Sequence, residues 1–275
     1  MPYLRAKRVL VVAAVVTVAV AGGVFSLHRS DSVAQPNHVT RDALLRGRGV
    51  VIYTPADPAR ALVLFFGNDI GFWRPHHALA ADLASEGYAV VGVDIRPLLA
   101  ALPEAHPARD SACASAIRDI ASRARRELSL DSVPLVIGGH SLGAELALWA
   151  GAHAGLRGAV GVLALSPGTR SHLRVSASDI LMTSEPAGPD SFGIADVVAD
   201  VRDARLRVAI VRGAHDKFAR ADARLLAVGG TSTRRFNVPL ASHSLRDLTL
   251  ARYVIHSAMA WLLEPVAVPA APTLD

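Results

Sequence analysis

The fold is decided by the stretch PLVIGGHSLGAE, which runs from Pro134 to Glu145. Its first residues predict a short apolar strand, and the pattern G-x-S-x-G follows at once, with Ser141 between Gly139 and Gly143. The two glycines allow a strand and a following helix to pack closely around a sharp turn. The sequence therefore places the Ser141 hydroxyl at the carboxyl edge of a sheet and at a helix N-terminus, where backbone N–H groups stabilise negative charge.

Two residues later in the chain are candidates to activate this serine. A serine hydroxyl needs a neighbouring base, and the base needs a carboxylate that orients it. A strand predicted over Leu206–Val211 ends shortly before Asp216, and a strand predicted over Arg235–Leu240 ends before His243. Because the carboxyl ends of parallel strands share one edge of a sheet, we predict Ser141 as nucleophile, Asp216 as orienting acid and His243 as base.

Other carboxylates and histidines compete for these roles. Asp200, Asp203 and Asp222 lie on predicted helical faces or ahead of a strand, where a solvated charge is expected. His256 falls inside the last predicted helix and is interpreted as a packing or surface histidine. His215 adjoins the candidate acid, but no second pair of ligands at metal spacing accompanies it, so no metal is predicted.

The anion that forms during acyl transfer needs two backbone N–H donors. One donor is the residue after the nucleophile, Leu142, and the other comes from the loop after an earlier strand. The apolar run Ala61–Phe66 is that strand, and Asn68 in the following loop is the predicted second donor. Asp69 stands beside it, where a carboxylate opposes a developing anion. Its side chain is expected to turn to solvent, to cap the next helix or to face a cationic group of a substrate.

The composition fits one large domain. The chain has 275 residues, of which 51% are hydrophobic and 19% are charged, so it can bury a single large core. The formal net charge is +5, but no basic stripe with interleaved aromatic residues is present, and no nucleic-acid partner is expected. Cys113 is the only cysteine, which excludes an intramolecular disulfide, and we expect it to pack as a small apolar residue. Serine-dependent hydrolysis needs no cofactor, and none is predicted.

Apolar strands alternate with helical patterns along most of the chain. This alternation predicts an α/β protein with the α/β-hydrolase fold, in which a mostly parallel sheet carries helices on both faces. We expect this domain over residues 35–265 and a mobile tail over 266–275. The remaining strands are predicted at Gly49–Tyr53, Leu62–Phe66, Tyr88–Val93, Leu135–Ile137 and Ala159–Leu165, and the helices at Pro75–Ser85, Ser111–Leu128, Ser141–His153 and Leu245–Leu263.

Residues 1–34 have the pattern of an export signal. Arg5, Lys7 and Arg8 precede an apolar run over residues 9–27. This arrangement predicts one N-terminal signal or transmembrane helix, either a signal sequence that is cleaved or a signal anchor that is retained. Because basic residues ahead of such a run keep the N-terminus inside, the following domain is expected outside the cytoplasm, in the periplasm or cell envelope, secreted or tethered.

A long connection over residues 166–205 separates two predicted sheet strands, and a short cap segment over the site is expected there. Within residues 179–203 there are six acidic residues and one basic residue. One interpretation is a solvated helix face with capping residues. The other is an acidic rim that attracts a cationic substrate, with Asp69, Glu185 and Asp190 as the substrate-binding candidates.

Three further stretches carry a family resemblance. They are Phe66–Trp73 (FGNDIGFW), which is similar to a glycine-rich G-D-G-G-W loop, Val90–Asp94 (VVGVD) and Leu165–Gly168 (LSPG). Together with the G-x-S-x-G stretch, they make the chain resemble the bacterial virulence protein VirJ / AcvB family of extracytoplasmic α/β-hydrolases. The resemblance extends over about residues 62–263.

The resemblance implies Ser141 as nucleophile, Asp216 as orienting acid and His243 as base. It also implies cleavage of aminoacylated phosphatidylglycerol, chiefly lysyl-phosphatidylglycerol, at the outer face of the inner membrane. A lipid ester and the inner-membrane surface are then the expected partners.

The chain departs from the family pattern at three positions. Asn68 stands where the family has glycine, and His140 and Leu142 stand where relatives often have tyrosine and phenylalanine. These differences bear on the substrate more than on the chemistry.

Two other functions agree with the same residues. The first is a general carboxylesterase or lipase that acts on neutral small-molecule esters. The second is an exported binding or assembly factor that keeps the fold without catalysis. The sequence leaves the oligomeric state open.

Overall fold

The computed structural model describes residues 49–181, 185–188, 190–245 and 248–265. The predicted signal or transmembrane helix, with its apolar core at residues 9–27, and the predicted tail at 266–275 lie outside this part of the chain. Among the described residues, no helix is both long enough and apolar enough to cross a bilayer.

The strands form one large sheet and one small one. In chain order they are β1 (Val50–Tyr53), β2 (Ala61–Phe66), β3 (Tyr88–Val93), β4 (Leu135–His140), β5 (Ala159–Leu165), β6 (Arg170–His172), β7 (Ser191–Gly193), β8 (Arg207–Gly213) and β9 (Thr233–Val238). Within the described residues, seven strands lie in the order β1-β3-β2-β4-β5-β8-β9, while β6 pairs with β7. Strand β1 runs antiparallel to β3, and the other neighbours in the large sheet are parallel.

Helices cover both faces of the large sheet. In chain order they are α1 (Arg74–Ser85), α2 (Ile95–Ala100), α3 (His106–Leu128), α4 (Leu142–His153), α5 (Ala177–Leu181), α6 (Ile194–Asp203), α7 (Asp222–Gly229) and α8 (Leu248–Leu263). Alternate side chains of β2 enter two cores: Leu64 packs on the side of α3, α4 and α6, and Phe65 on the side of α1 and α8. Because both faces are covered, every residue of β2, β3 and β4 is buried, which explains their continuous apolar sequences.

The parallel register brings several strand ends to one edge of the sheet. Phe66 pairs with Gly139, His140 with Leu165, and Leu165 with Val211. Strands β8 and β9 end together in the same way. The loops that carry the predicted site residues therefore leave the sheet along a single edge.

Most element boundaries lie within a few residues of the predicted ones, and β3 and β5 match as predicted. Strand β9 begins earlier than predicted because its ladder with β8 starts at Thr233, and it ends before Pro239, which has no N–H to donate. Helix α3 also begins earlier, at His106, with a proline in its first turn. Helix α2 has no counterpart in the prediction; Asp94 caps it by accepting the N–H of Arg96 at 3.0 Å.

Within the connection over residues 166–205, the segment from β6 to β7, called the excursion below, is shorter than the predicted cap segment. Strands β6 and β7 pair antiparallel, and the short helix α5 lies between them in the chain. Helix α6 then packs Val197, Val198 and Val201 into the main core. The excursion therefore ends at β7, because the apolar face of α6 belongs to the helix layer of the sheet.

The turn between β4 and α4 depends on direct backbone packing. A Cβ atom added at Gly143 would lie 2.0 Å from the carbonyl oxygen of Gly67, and one added at Gly139 would lie 2.1 Å from that of Gly143. Between these glycines, Ser141 adopts φ 54° and ψ −122°. Such a conformation costs a non-glycine residue about 1–3 kcal/mol, and it persists because the surrounding packing fixes it.

We expect Gly143→Ala to lower the free energy of unfolding by about 3 kcal/mol or more, because the added methyl group meets backbone that cannot move aside. Gly155→Ala is the matched control. Its Cβ would meet nothing within 4 Å, and its φ of +58° adds only the left-handed backbone cost of about 1 kcal/mol. Urea denaturation measures both losses, and equal losses would contradict the close approach at Gly143.

Candidate active site

Ser141, His243 and Asp216 lie in one hydrogen-bonded line at the carboxyl edge of the sheet. The Oγ atom of Ser141 lies 2.9 Å from Nε2 of His243. Nδ1 of the same ring lies 3.1 Å from Oδ2 and 3.2 Å from Oδ1 of Asp216. Because the carboxylate accepts the Nδ1–H, the lone pair of Nε2 faces the serine hydroxyl, which is the arrangement that general-base catalysis requires. The structure thus brings the three predicted residues into contact.

The elbow holds Ser141 at the start of α4. The Ser141 N–H donates to the carbonyl of Leu165 at 2.9 Å, while the N–H groups of Ala144 and Glu145 donate to the Ser141 carbonyl. Leu142 is the first helical residue, so its N–H has no acceptor within the helix. Leu142 also lines the cavity at Ser141, where the predicted oxyanion donor belongs.

The loop after β2 carries the second predicted oxyanion donor. Asn68 is buried, and its carbonyl accepts the N–H of Gly71 at 2.8 Å. Its role as a donor stays a prediction. Asp69 lines the cavity together with Ser141, so its side chain faces the substrate side. Burial raises the pKa of Asp69, and the negative charge of Asp179 raises it further.

Within the described part of the chain, three hydrogen-bond donors hold Asp216. Besides His243, Arg212 donates from Nη1 to Oδ2 at 2.7 Å, and the N–H of Phe218 donates to Oδ1 at 3.0 Å. Burial alone raises the pKa of this carboxyl group, but the bonds from His243, Arg212 and Phe218 outweigh burial and hold the pKa well below its usual range. The carboxylate therefore stays ionised beside His243.

Arg212 connects Asp216 to a second buried carboxylate, Asp222. Its Nε and Nη2 atoms donate to Asp222 over 2.8–3.2 Å, and neither side chain is exposed. The prediction that Asp222 is a solvated charge on a helix face is therefore wrong. The side chain turns inward because it pairs with the buried guanidinium of Arg212 at the end of β8. Nε of Arg235 lies 3.3 Å from Oδ2 of Asp222 at the edge of this network.

A cavity of about 530 Å³ opens in front of Ser141 and His243. Carboxylates form part of its wall, and residues of the excursion between β5 and α6 form another part. Among the described residues, three cations also line it. The charged lining residues are Asp69, Glu145, Asp179, Glu185, Arg170, Lys217 and Arg220.

Glu145 and Asp179 are two carboxylates that sequence analysis did not select. Glu145 lies in α4 and accepts the N–H of Gly168 at 2.8 Å. Burial raises its pKa to about 7, so the carboxyl group changes charge near neutral pH. Asp179 is also desolvated, which raises its pKa, but hydrogen bonds from His172 and Ser176 outweigh this and lower the pKa.

The two predicted acidic candidates of the excursion lie in different places. Glu185 lines the cavity and accepts a hydrogen bond from Thr169. Asp190 pairs with Arg174 and lines a separate surface cavity with His153. The structure therefore does not bring Asp190 to the cavity of Ser141, because the β6–β7 pairing places it on another surface.

The other competing residues lie outside the site. Asp200 and Asp203 are exposed on α6, and His215 is exposed beside Asp216. His256 bonds Asp82 at 2.7 Å, as expected of a packing or surface histidine. In the part of the chain that the structure describes, no three His, Cys, Asp or Glu side chains are grouped so that they could hold a metal.

Sequence reasoning missed Arg212 and Glu145, although each left a signal. Arg212 is a charge next to the end of the apolar strand β8, and Glu145 is a charge in an otherwise apolar helix. A charged residue inside an apolar run is rarely buried without a partner, so each position indicates a specific contact.

The sequence matches no protein-family model and no curated protein. Solved structures, however, share its architecture. The chain has the α/β-hydrolase fold. A putative dienelactone hydrolase from Klebsiella pneumoniae is 16% identical with a TM-score of 0.56, covering 78% of this chain and 92% of its own. The esterase domain of a Rhodothermus marinus protein is 16% identical with a TM-score of 0.53, covering 77% and 90%. A carboxyl esterase from Bacillus coagulans is 12% identical with a TM-score of 0.54, covering 82% and 97%. At these identities, the likeness establishes the fold.

We expect Arg212→Met to lower the free energy of unfolding by about 3–5 kcal/mol, because it leaves the buried carboxylates of Asp216 and Asp222 without their shared cation. Arg235→Met is the matched control. Arg235 approaches the same Asp222, but about a third of its side chain is exposed, and we expect a loss below about 1 kcal/mol. Urea denaturation at pH 7 compares the two variants, and similar losses would show that removing the buried Arg212 costs no more than removing the partly exposed Arg235.

Proposed function

We propose that this chain is a serine ester hydrolase that acts through an acyl-enzyme. The observation that carries the proposal is the 2.9 Å contact between Ser141 Oγ and His243 Nε2, with Asp216 on the other ring nitrogen. No packing requirement demands these three polar side chains at three separate strand ends. A nucleophile, its base and an orienting carboxylate in this order are what acyl transfer needs.

The proposed reaction runs in two halves. His243 takes the proton of Ser141 as Oγ attacks the ester carbonyl, and the backbone N–H groups of Asn68 and Leu142 stabilise the tetrahedral oxyanion. The imidazolium, stabilised by the ionised Asp216, then protonates the leaving alcohol. Water attacks the acyl-enzyme with His243 again as base, and the acid product leaves as Ser141 regains its proton.

We propose aminoacylated phosphatidylglycerol, chiefly lysyl-phosphatidylglycerol, as the substrate, in line with the resemblance to the VirJ / AcvB family. An aminoacyl ester carries a protonated amine near the scissile carbonyl, and a cation there is attracted by the carboxylates of the cavity. Asp69 lines the cavity beside Ser141, and Glu145 gains negative charge as the pH rises through about 7. These positions support a cationic acyl group.

The proposed place of action is the outer face of the inner membrane. It is supported by the sequence alone, through Arg5, Lys7 and Arg8 ahead of the apolar run over residues 9–27. A tether to the membrane would hold the site near lipid headgroups and raise the effective concentration of a lipid ester.

A carboxylesterase that acts on neutral esters is the second candidate. Arg170, Lys217 and Arg220 line the same cavity as the carboxylates, so cations partly offset the acidic wall. The solved structures with this fold include a carboxyl esterase and an esterase domain.

The deciding experiment compares the full chain with its Ser141→Ala variant on lysyl-phosphatidylglycerol, alanyl-phosphatidylglycerol and a series of neutral p-nitrophenyl esters. We expect release of amino acid from the lipids that is lost by at least a thousandfold in the variant, because the nucleophile is gone. Turnover of the neutral esters alone would favour the second candidate. Equal rates for both proteins on every ester would leave a binding or assembly factor.

The charge of the cavity has its own test. Esters of trimethylammonioacetic acid and of 3,3-dimethylbutanoic acid differ only in the charge of the acyl group. We expect Asp69→Asn to lower kcat/KM for the cationic ester roughly tenfold more than for the neutral one, which corresponds to about 1.4 kcal/mol of lost attraction. Asp190→Asn is the matched control, since that carboxylate lies at another cavity, and it should leave the ratio unchanged. An unchanged ratio in both variants would contradict the acidic subsite.

A further inference from the structure

Two buried histidines, His76 and His140, form a hydrogen-bonded chain behind the candidate base. The N–H of Trp73 donates to Nδ1 of His76 at 3.3 Å. Nε2 of His76 lies 3.1 Å from Nδ1 of His140, and Nε2 of His140 lies 3.3 Å from the carbonyl oxygen of His243. Both rings are more than nine-tenths buried.

The backbone groups at the two ends fix the direction of every bond. Trp73 can only donate, and it offers its N–H to Nδ1 of His76, although the backbone of Gly71 also lies beside this ring; with Nδ1 accepting, the proton of the neutral ring is on Nε2. That proton is donated to Nδ1 of His140, which leaves the proton of His140 on Nε2. The last bond then runs from His140 to a carbonyl of His243, which can only accept. Each ring is therefore a neutral Nε2–H tautomer with one donor and one acceptor in use.

The hydrogen-bonded line through His76 and His140 joins the three segments that carry the proposed chemistry. Trp73 ends the loop that begins with Gly67 and contains Asn68, and it precedes α1. His140 is the last residue of β4, immediately before Ser141. The loop of His243 receives the final bond through its own backbone. One line of hydrogen bonds thus links the oxyanion loop, the elbow and the loop of the base.

A positive charge on either ring would break this line. A second proton on His140 would place an N–H against the N–H of His76, and a second proton on His76 would oppose the N–H of Trp73. Burial lowers the pKa of His140 to about 4, outweighing the bond to the His243 carbonyl, and burial with the nearby His140 and His77 lowers the pKa of His76 well below its ordinary value, outweighing the backbone of Gly71. The titratable groups that face His140 are His76, His243 and Asp216, and His77 faces His76 while bonding the hydroxyl of Tyr53 at 2.6 Å.

We propose that His140 and His76 are positioning residues that hold the loop of His243 at hydrogen-bonding distance from Ser141. The inference rests on the proposed ester hydrolysis for its kinetic consequence, whereas the geometry of His243 can be followed without any substrate. Neither ring touches the reacting atoms; they act through the carbonyl of His243.

The test compares His140→Gln with His140→Leu. Glutamine can accept from His76 through Oε1 and donate to His243 through Nε2, whereas leucine fills similar space and does neither. With a p-nitrophenyl ester, we expect kcat to fall at least tenfold in His140→Leu with KM within twofold of wild type, because the cavity is untouched. In His140→Gln, kcat should stay within threefold of wild type.

A readout without substrate separates this inference from the proposed function. The proton between His243 Nδ1 and Asp216 gives a downfield NMR resonance, and ¹⁵N spectra of the histidines report their tautomers. We expect the resonance in wild type and His140→Gln but not in His140→Leu, and we expect both buried rings of the wild type as Nε2–H tautomers, with His140 neutral from pH 8 to 5. If the wild type hydrolyses no ester, these spectra still decide whether His76 and His140 position His243.

The pH dependence of the free energy of unfolding provides a further test. The unfolded chain takes up a proton at His140 near pH 6.5, whereas the folded chain does so near pH 4, so stability is present above pH 6.5 and is lost as the pH falls toward 4. The urea midpoint of His140→Gln should therefore decline less over this interval. Wild-type kcat and an intact downfield resonance in a folded His140→Leu variant would overturn the proposal. Equal decreases of kcat in His140→Gln and His140→Leu would overturn it as well.

Discussion

The contact between the backbone of Gly143 and the carbonyl of Gly67 sets the spacing of the whole site. With no side chain between them, α4 and the end of β2 approach more closely than any other residue would allow. The elbow and the loop after β2 are thereby fixed relative to each other. The remaining components come from β8 and β9, which join the same sheet through parallel ladders with β5 and with each other. A change in this one approach would be transmitted to the nucleophile and to the oxyanion loop together.

Buried charge contributes orientation rather than stability at this site. Taking Arg212, Asp216 and Asp222 out of water costs free energy that their mutual attraction only partly returns. What the network supplies is a carboxylate with one orientation and a low pKa, aimed at Nδ1 of His243. Glu145 shows the opposite case on the same edge of the sheet: burial raises its pKa to about 7, because the hydrogen bonds around it do not outweigh the loss of solvation. Two buried acids therefore have very different pKa values, since only Asp216 has donors strong enough to offset burial.

The sequence was informative where the signal is local and periodic. The apolar strands, the G-x-S-x-G turn and the order of Ser141, Asp216 and His243 predicted the fold and the residues that meet at the sheet edge, because parallel strands end on one side. It was uninformative where a side chain's environment comes from distant segments. Asp222 at a helix start has the local pattern of a surface residue, and only the end of β8 reveals that a buried guanidinium receives it. The His76–His140 contact joins residues 64 positions apart and had no counterpart in the pattern. Asp190 was misjudged for a similar reason, since the pairing of β6 with β7 decides which surface it faces.

The conformation of Ser141 separates what the backbone favours from what the chemistry needs. At φ 54° and ψ −122°, glycine is the residue that the turn accepts without strain. A search for thermostable variants that scores folding alone would therefore select glycine at this position and discard the hydroxyl. The position thus marks a trade between stability and activity, and the chain retains a strained residue that only the chemistry of its side chain explains.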